Sequence, residues 1–214
     1  MESNKIKSRK YRFHLKNMEL GASFSHRHLK WLGINPLFAI KEFKKLGLNW
    51  IRLGCYWDEI EKEPGLFSFK ELDPLVEYCE INKINIALTV GMKAPRWPEY
   101  YLPIYLLSQL KLGRLSSIKL DNKILSESTL NFLEKSVNHF RVSKAIKVWQ
   151  VENEPLDPSG EKWWRITPEF LETEVKLVKK LDRTKKIMIN VWRKQNGDNR
   201  YWNEAEKIAS LRSQ

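Results

Sequence analysis

The chain has 214 residues, and its 38 Lys and Arg outnumber its 26 Asp and Glu, which gives a formal charge of +12. Hydrophobic residues make up 42% and aromatic residues 12%, a composition that excludes disordered and collagen-like chains. The longest apolar run, Tyr100 to Leu107, is too short to cross a bilayer, and the polar start lacks a secretory signal. We therefore expect a folded cytoplasmic protein that does not enter a membrane.

The positive charge is uneven along the chain. Residues 1–16 carry six basic residues against Glu2 alone, whereas the remaining lysines alternate with apolar positions, as solvated helix faces do. We predict a basic extension over residues 1–17 and a folded domain over 18–214. Nucleic-acid binding by the extension is a disfavoured hypothesis. Cys55 and Cys79 have no His or Cys at metal spacing, so no metal or cofactor is implied.

Short apolar runs alternate with helical stretches through the whole chain. The predicted strands, in chain order, are Glu19–Phe24, Asn49–Gly54, Ile84–Val90, Ile146–Val151 and Lys186–Trp192. Helix starts are predicted at Asn35-Pro36, Asp73-Pro74 and Thr167-Pro168, and apolar stripes mark two further helices around 130–140 and 202–209. This order predicts an α/β fold built from repeated βα units around a parallel sheet.

Two architectures fit such a pattern, a doubly wound sheet and a (β/α)8 barrel. No Gly-rich phosphate loop follows the first strand, where the residues are 23–28, SFSHRH. A nucleotide-binding fold is therefore disfavoured. In either architecture a ligand lies at the carboxyl ends of the strands. The fourth predicted strand ends in the run 149–155, WQVENEP.

This run resembles the Asn-Glu-Pro signature of clan A glycoside hydrolases, the cellulase-like and β-galactosidase-like retaining enzymes built on a (β/α)8 TIM barrel. The second strand and its loop, residues 49–69, are similar to the family's stretch with an arginine, an aromatic-Trp pair and E-x-E-P-G-x-F-x-F. LGASFS at 20–25 and APRWP at 94–98 also fit. The resemblance runs from about residue 18 to about 209, and it implies hydrolysis of O-glycosidic bonds by two glutamates.

The resemblance assigns a role to three residues at strand ends. Glu154 matches the acid/base, Asn153 the residue that hydrogen-bonds the sugar 2-hydroxyl, and Arg52 the arginine that orients the nucleophile. Each has a simpler alternative. Glu154 also fits a solvent-exposed loop carboxylate. Arg52 alternates with Ile51 and Leu53, which places it on the interior face, where a structural ion pair would equally suit it.

Two tryptophans are candidates for stacking on sugar rings. Nine Trp in 214 residues is a high number, and pyranose rings present apolar C–H faces to aromatic side chains. Most Trp residues belong to cores. Trp97 and the Trp163-Trp164 pair lie in loops after strands, so Trp97 and Trp164 are predicted to bind an oligosaccharide or glycoside substrate.

The family's second carboxylate is missing from the pattern. Its nucleophile is a glutamate that ends the seventh strand, but five βα units already use the chain, against about 250 residues for a full barrel. The fold class is therefore an incomplete (β/α)8 barrel, inactive as this chain alone. Three explanations stay open: part of a longer enzyme, which we favour; a non-catalytic carbohydrate-binding remnant; or a half-barrel completed by a partner chain.

Overall fold

The computed structural model describes residues 19–191 and 200–211. Its central feature is a five-stranded parallel sheet in the order β1-β2-β5-β7-β9. The strands are β1 (Gly21–Phe24), β2 (Trp50–Gly54), β5 (Asn85–Val90), β7 (Ile146–Val151) and β9 (Lys186–Met188). Two small two-stranded sheets lie in the loops: β3 (Glu61–Glu63) with β4 (Leu66–Phe67), and β6 (Ser117–Ile118) with β8 (Arg165–Ile166).

Eight helices connect these strands within the described residues. They are α1 (His26–Trp31), α2 (Pro36–Lys45), α3 (Trp57–Ile60), α4 (Asp73–Ile81), α5 (Ile104–Leu107), α6 (Lys123–Phe140), α7 (Pro168–Leu181) and α8 (Arg200–Ala209). All five predicted long helices are present. None of the described helices is both long and apolar enough to span a membrane.

The strand order separates the two architectures that the sequence left open. A doubly wound sheet reverses its strand order at a switch point, whereas barrel strands follow one another around the sheet in chain order. Here the order never reverses, and every pairing in the five-stranded sheet is parallel. The predicted incomplete TIM barrel of about five βα units is confirmed, and the barrel is not closed.

The two faces of this sheet differ in side-chain chemistry. The outward-pointing residues are apolar and buried under the helices; they include Ile51, Leu53, Ile86, Leu88, Trp149 and Val151. The inward face carries Ser23, Arg52, Ala87, Val148 and Lys186 in one register row. Ser23 and Lys186 are exposed, and Arg52 is partly exposed. The main hydrophobic core therefore lies between sheet and helices.

Strand boundaries differ slightly from the sequence-based prediction. The first three strands begin one or two residues later than predicted, and β7 agrees at both ends. The fifth strand is shorter, since β9 ends at Met188 and Ile189 to Val191 are not in a strand. Trp192 and the predicted basic extension, residues 1–17, lie outside the described residues. Cys55 and Cys79 are both buried.

Candidate active site

Polar side chains from three strands meet at the carboxyl edge of the sheet. Because the strands are parallel, the loops that follow them emerge on the same side. Arg52 of β2 points to the inward face, and its register places it beside Ala87 of β5. Gln150 of β7 is also on this face, beside Thr89, and it is fully buried. The strand pattern thus brings residues about 100 positions apart into one cluster.

The Arg52 guanidinium joins β2 to the end of β7. Its Nε donates to Gln150 Oε1 at 2.6 Å, and one of its terminal nitrogens donates to Asn153 Oδ1. Both of these bonds go to amide oxygens, so neither is the structural ion pair that we considered as an alternative. A guanidinium held on two fixed acceptors has a defined orientation. Asn153 is buried, with 5% of its surface exposed.

Asn190, just after β9, completes the network. Its Oδ1 accepts from Gln150 Nε2 at 2.9 Å and from the Glu154 backbone N–H at 3.1 Å. Its Nδ2 donates to Asn153 Oδ1 at 3.2 Å. Neither Gln150 nor Asn190 is among the residues predicted from the sequence. Their inward positions near strand ends were the signal, since side chains alternate between the faces of a strand.

Glu154 follows this network directly and is partly exposed. Burial raises the pKa of its carboxyl group, and the negative charge of Glu99 raises it further, while Lys93 and Arg52 act in the opposite direction. Its backbone is in the left-handed region, with φ of 48°. A non-glycine residue in this region is held there by its surroundings. A carboxyl group with a raised pKa at an open strand end is suited to donating a proton.

Glu152 anchors the same turn from the buried side. Its Oε1 accepts from the Met92 backbone N–H at 2.6 Å, and its Oε2 accepts from the Lys93 backbone N–H at 2.5 Å. The carboxylate lies over Gly91, where an added Cβ would be 2.1 Å from Oε1. The glycine is therefore required by this close approach. Glu152 was not among the predicted site residues, because nothing in the sequence pairs it with the loop after β5.

The two predicted stacking tryptophans lie in different environments. Trp97 is 63% exposed, and the Tyr101 hydroxyl donates to the carbonyl oxygens of Arg96 and Trp97, which holds this loop. Trp164 is only 4% exposed, and its Nε1 donates to the Gly113 carbonyl at 2.7 Å. A buried indole has no face to offer a sugar, so the predicted stacking role of Trp164 is not carried further. Its neighbour Trp163 is 46% exposed.

The described residues contain no group of three or more His, Cys, Asp or Glu side chains arranged to hold a metal ion. The chemistry of this edge is that of a carboxyl group, a guanidinium and three amides. The arrangement can donate and accept a proton at Glu154 and can hydrogen-bond hydroxyl groups through the amides.

A family model described as beta-galactosidase, of glycoside hydrolase family 42, matches residues 37–167. This range contains Arg52, Lys93, Gln150, Asn153 and Glu154. A comparison with curated proteins finds no match.

Solved structures of clan A glycoside hydrolases share the fold. The beta-galactosidase of the psychrophilic Marinomonas ef1 superimposes with a TM-score of 0.60 and 12% identity, over 81% of this chain and 37% of its own. Xylanase 10B from Thermotoga petrophila RKU-1, in complex with xylobiose, superimposes with a TM-score of 0.63 and 18% identity, over 90% of this chain and 56% of its own. A GH5_18 enzyme from Streptomyces cattleya, in complex with GlcNAc, superimposes with a TM-score of 0.60 and 12% identity, over 81% of this chain and 44% of its own.

At these identities the likeness establishes the fold alone. The chain spans between about a third and three fifths of the length of such structures. The predicted clan A TIM-barrel relationship is confirmed by the family match together with this shared fold. Because the family match covers more than half of the residues, the chain belongs to the beta-galactosidase family of glycoside hydrolases, family 42.

Proposed function

We propose that the chain forms the acid/base half of a retaining glycosidase site that acts on galactosides. The observation that carries this proposal is the network of Arg52, Asn153 and Asn190 around Glu154 at the carboxyl edge of the sheet. The family description supports a galactoside as the substrate. Glu154 is the acid/base in this proposal, and the raised pKa of its carboxyl group favours the protonated form that the first step needs.

The neighbouring residues take complementary roles. The Asn153 oxygen accepts from Arg52 and Asn190, so we assign its amide nitrogen to the sugar 2-hydroxyl, a contact that strengthens as positive charge develops on the ring. Arg52 would orient and keep ionised a nucleophilic carboxylate. In a retaining enzyme that carboxylate lies roughly 5 to 5.5 Å from the acid/base.

The nucleophile of this proposal comes from outside the five described strands of the main sheet. None of these strands other than β7 leads into a glutamate at its carboxyl end. In this proposal the described strands therefore present the acid/base Glu154 without a second strand-ending glutamate to attack the anomeric carbon. We expect the 214-residue chain to have almost no turnover by itself.

A carbohydrate-binding role is the second candidate, and it is favoured by exposed Trp97 in the loop after β5. A third arrangement has a partner chain that supplies the remaining strands. It is supported by the edges of the main sheet, where β1 and β9 each pair with one neighbour among the described strands. In that case turnover would appear only with a second polypeptide that carries a strand-ending glutamate.

The test offers the purified chain a panel of aryl glycosides that includes 4-nitrophenyl β-galactoside, and then titrates it calorimetrically with galacto-oligosaccharides. We expect almost no aryl release but measurable binding. Trp97→Ala should weaken that binding about 2- to 13-fold, as a stacking contact of about 0.5–1.5 kcal/mol implies. Trp31→Ala is the matched control, since Trp31 is 81% exposed on α1.

Two results would contradict the proposal. Turnover as fast as that of an intact glycosidase, lost in Glu154→Gln, would show that the nucleophile lies within this chain. Absence of binding heat with every galactan, glucan and mannan oligosaccharide would remove the carbohydrate role itself.

A further inference from the structure

Lys93 is a fully buried lysine in the loop that follows β5. Its Nζ donates to the Glu154 backbone carbonyl at 2.6 Å and to Ser159 Oγ at 2.7 Å, and it lies 3.4 Å from the Asp157 carbonyl. Glu99 Oε2 is 3.7 Å away, and the Tyr100 ring centroid 5.3 Å away. Complete burial of an ammonium group is costly unless its donors are satisfied, and here three oxygens of one loop and a carboxylate satisfy them.

The same residue contacts the Glu152–Glu154 turn at both ends. Its backbone N–H donates to the Glu152 carboxylate, and its side chain reaches the Glu154 carbonyl. Glu152 and Glu154 both have positive φ, 63° and 48°. A non-glycine residue keeps such a conformation only where its surroundings hold it there. Two fixed contacts from one neighbouring loop supply the constraint that keeps this turn in place.

We propose that Lys93, paired with Glu99, is a positioning residue for Glu154. Lys93 fixes the backbone from which the Glu154 carboxyl group projects. Its role as a positioning residue for catalysis rests on the proposed function of Glu154. Ser159 extends the unit, because its hydroxyl donates to Glu99 Oε2 while it accepts from Lys93. Two opposite charges on the loop after β5 therefore hold the loop after β7 through the Glu154 carbonyl and the Ser159 hydroxyl.

Because Lys93 and Glu99 carry opposite charges, the proposal can be tested by two substitutions with opposite effects on the pKa of Glu154. The charged groups around Glu154 are Lys93, Glu99, Asp157 and Arg52, and Glu152 also faces Lys93. Lys93 lowers the pKa of Glu154, and Glu99 raises it. Removing one or the other should therefore move the Glu154 titration in opposite directions.

The experiment labels glutamate carboxyl carbons with ¹³C and follows Glu154 by NMR through a pH titration, with Glu154→Gln assigning the signal. Lys93→Met keeps an unbranched buried side chain but removes its charge, and it should raise the midpoint of the Glu154 titration. Glu99→Gln should lower it. Lys135→Met, an exposed lysine on α6, is the control and should leave the midpoint unchanged.

A second readout reports on position. The ¹³Cα and ¹³Cβ shifts of residue 154 depend on its backbone conformation, and in Lys93→Met they should leave the left-handed range while those of α6 stay constant. If Lys93→Met does not fold, Glu99→Gln alone decides. Unchanged Glu154 titration and shifts in the folded variants would overturn the proposal. Shifts as expected with no sugar binding would leave this inference standing and contradict only the proposed function.

Discussion

At the residue scale, two buried glutamates, Glu152 and Glu174, lie next to each other behind the candidate site. Burial raises the pKa of Glu152 to about 7, although two backbone N–H groups stabilise its charged form. Glu174 of α7 is fully buried, and its carboxyl group lies next to that of Glu152. Burial and the neighbouring Glu152 charge raise the pKa of Glu174 well above 4.5. The two backbone N–H donors to Glu152 stabilise a negative charge there, so they favour the proton of the pair on Glu174.

Replacing Glu174 should remove a pH dependence of stability. A carboxyl group whose pKa is higher in the folded state binds more protons there, so its stability contribution falls as pH rises above about 4.5. The free energy of unfolding of the parent protein, relative to Glu174→Gln, should thus fall between pH 5 and pH 8. Urea unfolding at both pH values measures it.

The control for this prediction is Glu169→Gln, on the same helix but exposed. The difference in free energy of unfolding between Glu169→Gln and the parent should be nearly constant from pH 5 to pH 8. A Glu174→Gln difference that is also constant would show that Glu174 has no raised pKa in the folded protein.

Gly91 offers a second test at this scale. Its φ of 121° and the 2.1 Å approach of an added Cβ to Glu152 Oε1 leave no room for a side chain. Gly91→Ala should displace the carboxylate from the Met92 and Lys93 N–H groups and lower the free energy of unfolding by about 2 kcal/mol or more. Gly113→Ala, with nothing within 4 Å of the new Cβ, should change it little. Equal denaturation midpoints for the two variants would contradict this account.

The sequence predicted some of the residues at this edge and not others. Arg52, Asn153 and Glu154 were predicted because they lie in local runs that resemble the family's motifs, and strand alternation placed Arg52 on the interior face. Lys93 and Asn190 were missed because their roles depend on contacts with residues 61 and 36 to 37 positions away. A buried lysine also looks like a surface residue in a sequence, since lysine is usually exposed.

At the element scale, the three Pro-marked helix starts behave differently. The Asn35 side chain accepts from the Phe38 backbone N–H at 3.1 Å and caps α2, as predicted. Asp73 instead lies inside α4, whose cap residue Leu72 makes no side-chain bond, and Thr167 caps α7 without a side-chain bond. The proline therefore marks the start of each helix, but the cap bond depends on the local rotamer and backbone.

This difference predicts unequal costs for removing the caps. Asn35→Ala should destabilise the protein by about 1 kcal/mol, because an N–H group at the helix start loses its acceptor. Thr167→Ala should cost distinctly less, since no cap bond is lost. Chemical denaturation of the two single variants measures this. A larger loss for Thr167→Ala would contradict the assignment.

The short elements could not be predicted. The strands β6 and β8 are two residues each and pair across 48 positions, Ser117 with Arg165 and Ile118 with Ile166. Such segments carry too few residues for a periodic pattern, and their pairing depends on how the long loop after β5 folds back. The long helices and main strands were predictable because their apolar faces repeat over many residues.

At the scale of the whole molecule, the described main sheet has one face covered by helices and two edge strands, β1 and β9. β5 has partners on both sides, whereas β9 is three residues long and pairs with β7 alone among the described strands. Amide exchange should therefore be slowest in β5 and much faster in β9, because the edge strand opens without breaking the rest of the sheet. Hydrogen-exchange mass spectrometry resolves both strands. Equal protection would indicate that β9 is covered in solution, as a partner chain would cover it.

The arrangement of strands in chain order has a consequence for synthesis on the ribosome. Each new strand of the main sheet emerges after the neighbour on which it docks, so no strand waits for a later one to begin pairing. The hydrogen bonds on the inward face need residues that are synthesised later. Until β7 has been made, the Arg52 guanidinium has neither Gln150 nor Asn153 to bind, and until residue 190 follows, Asn153 and Glu154 lack the amide that joins them. Arg52 is thus synthesised about a hundred residues before the two side chains that fix its orientation.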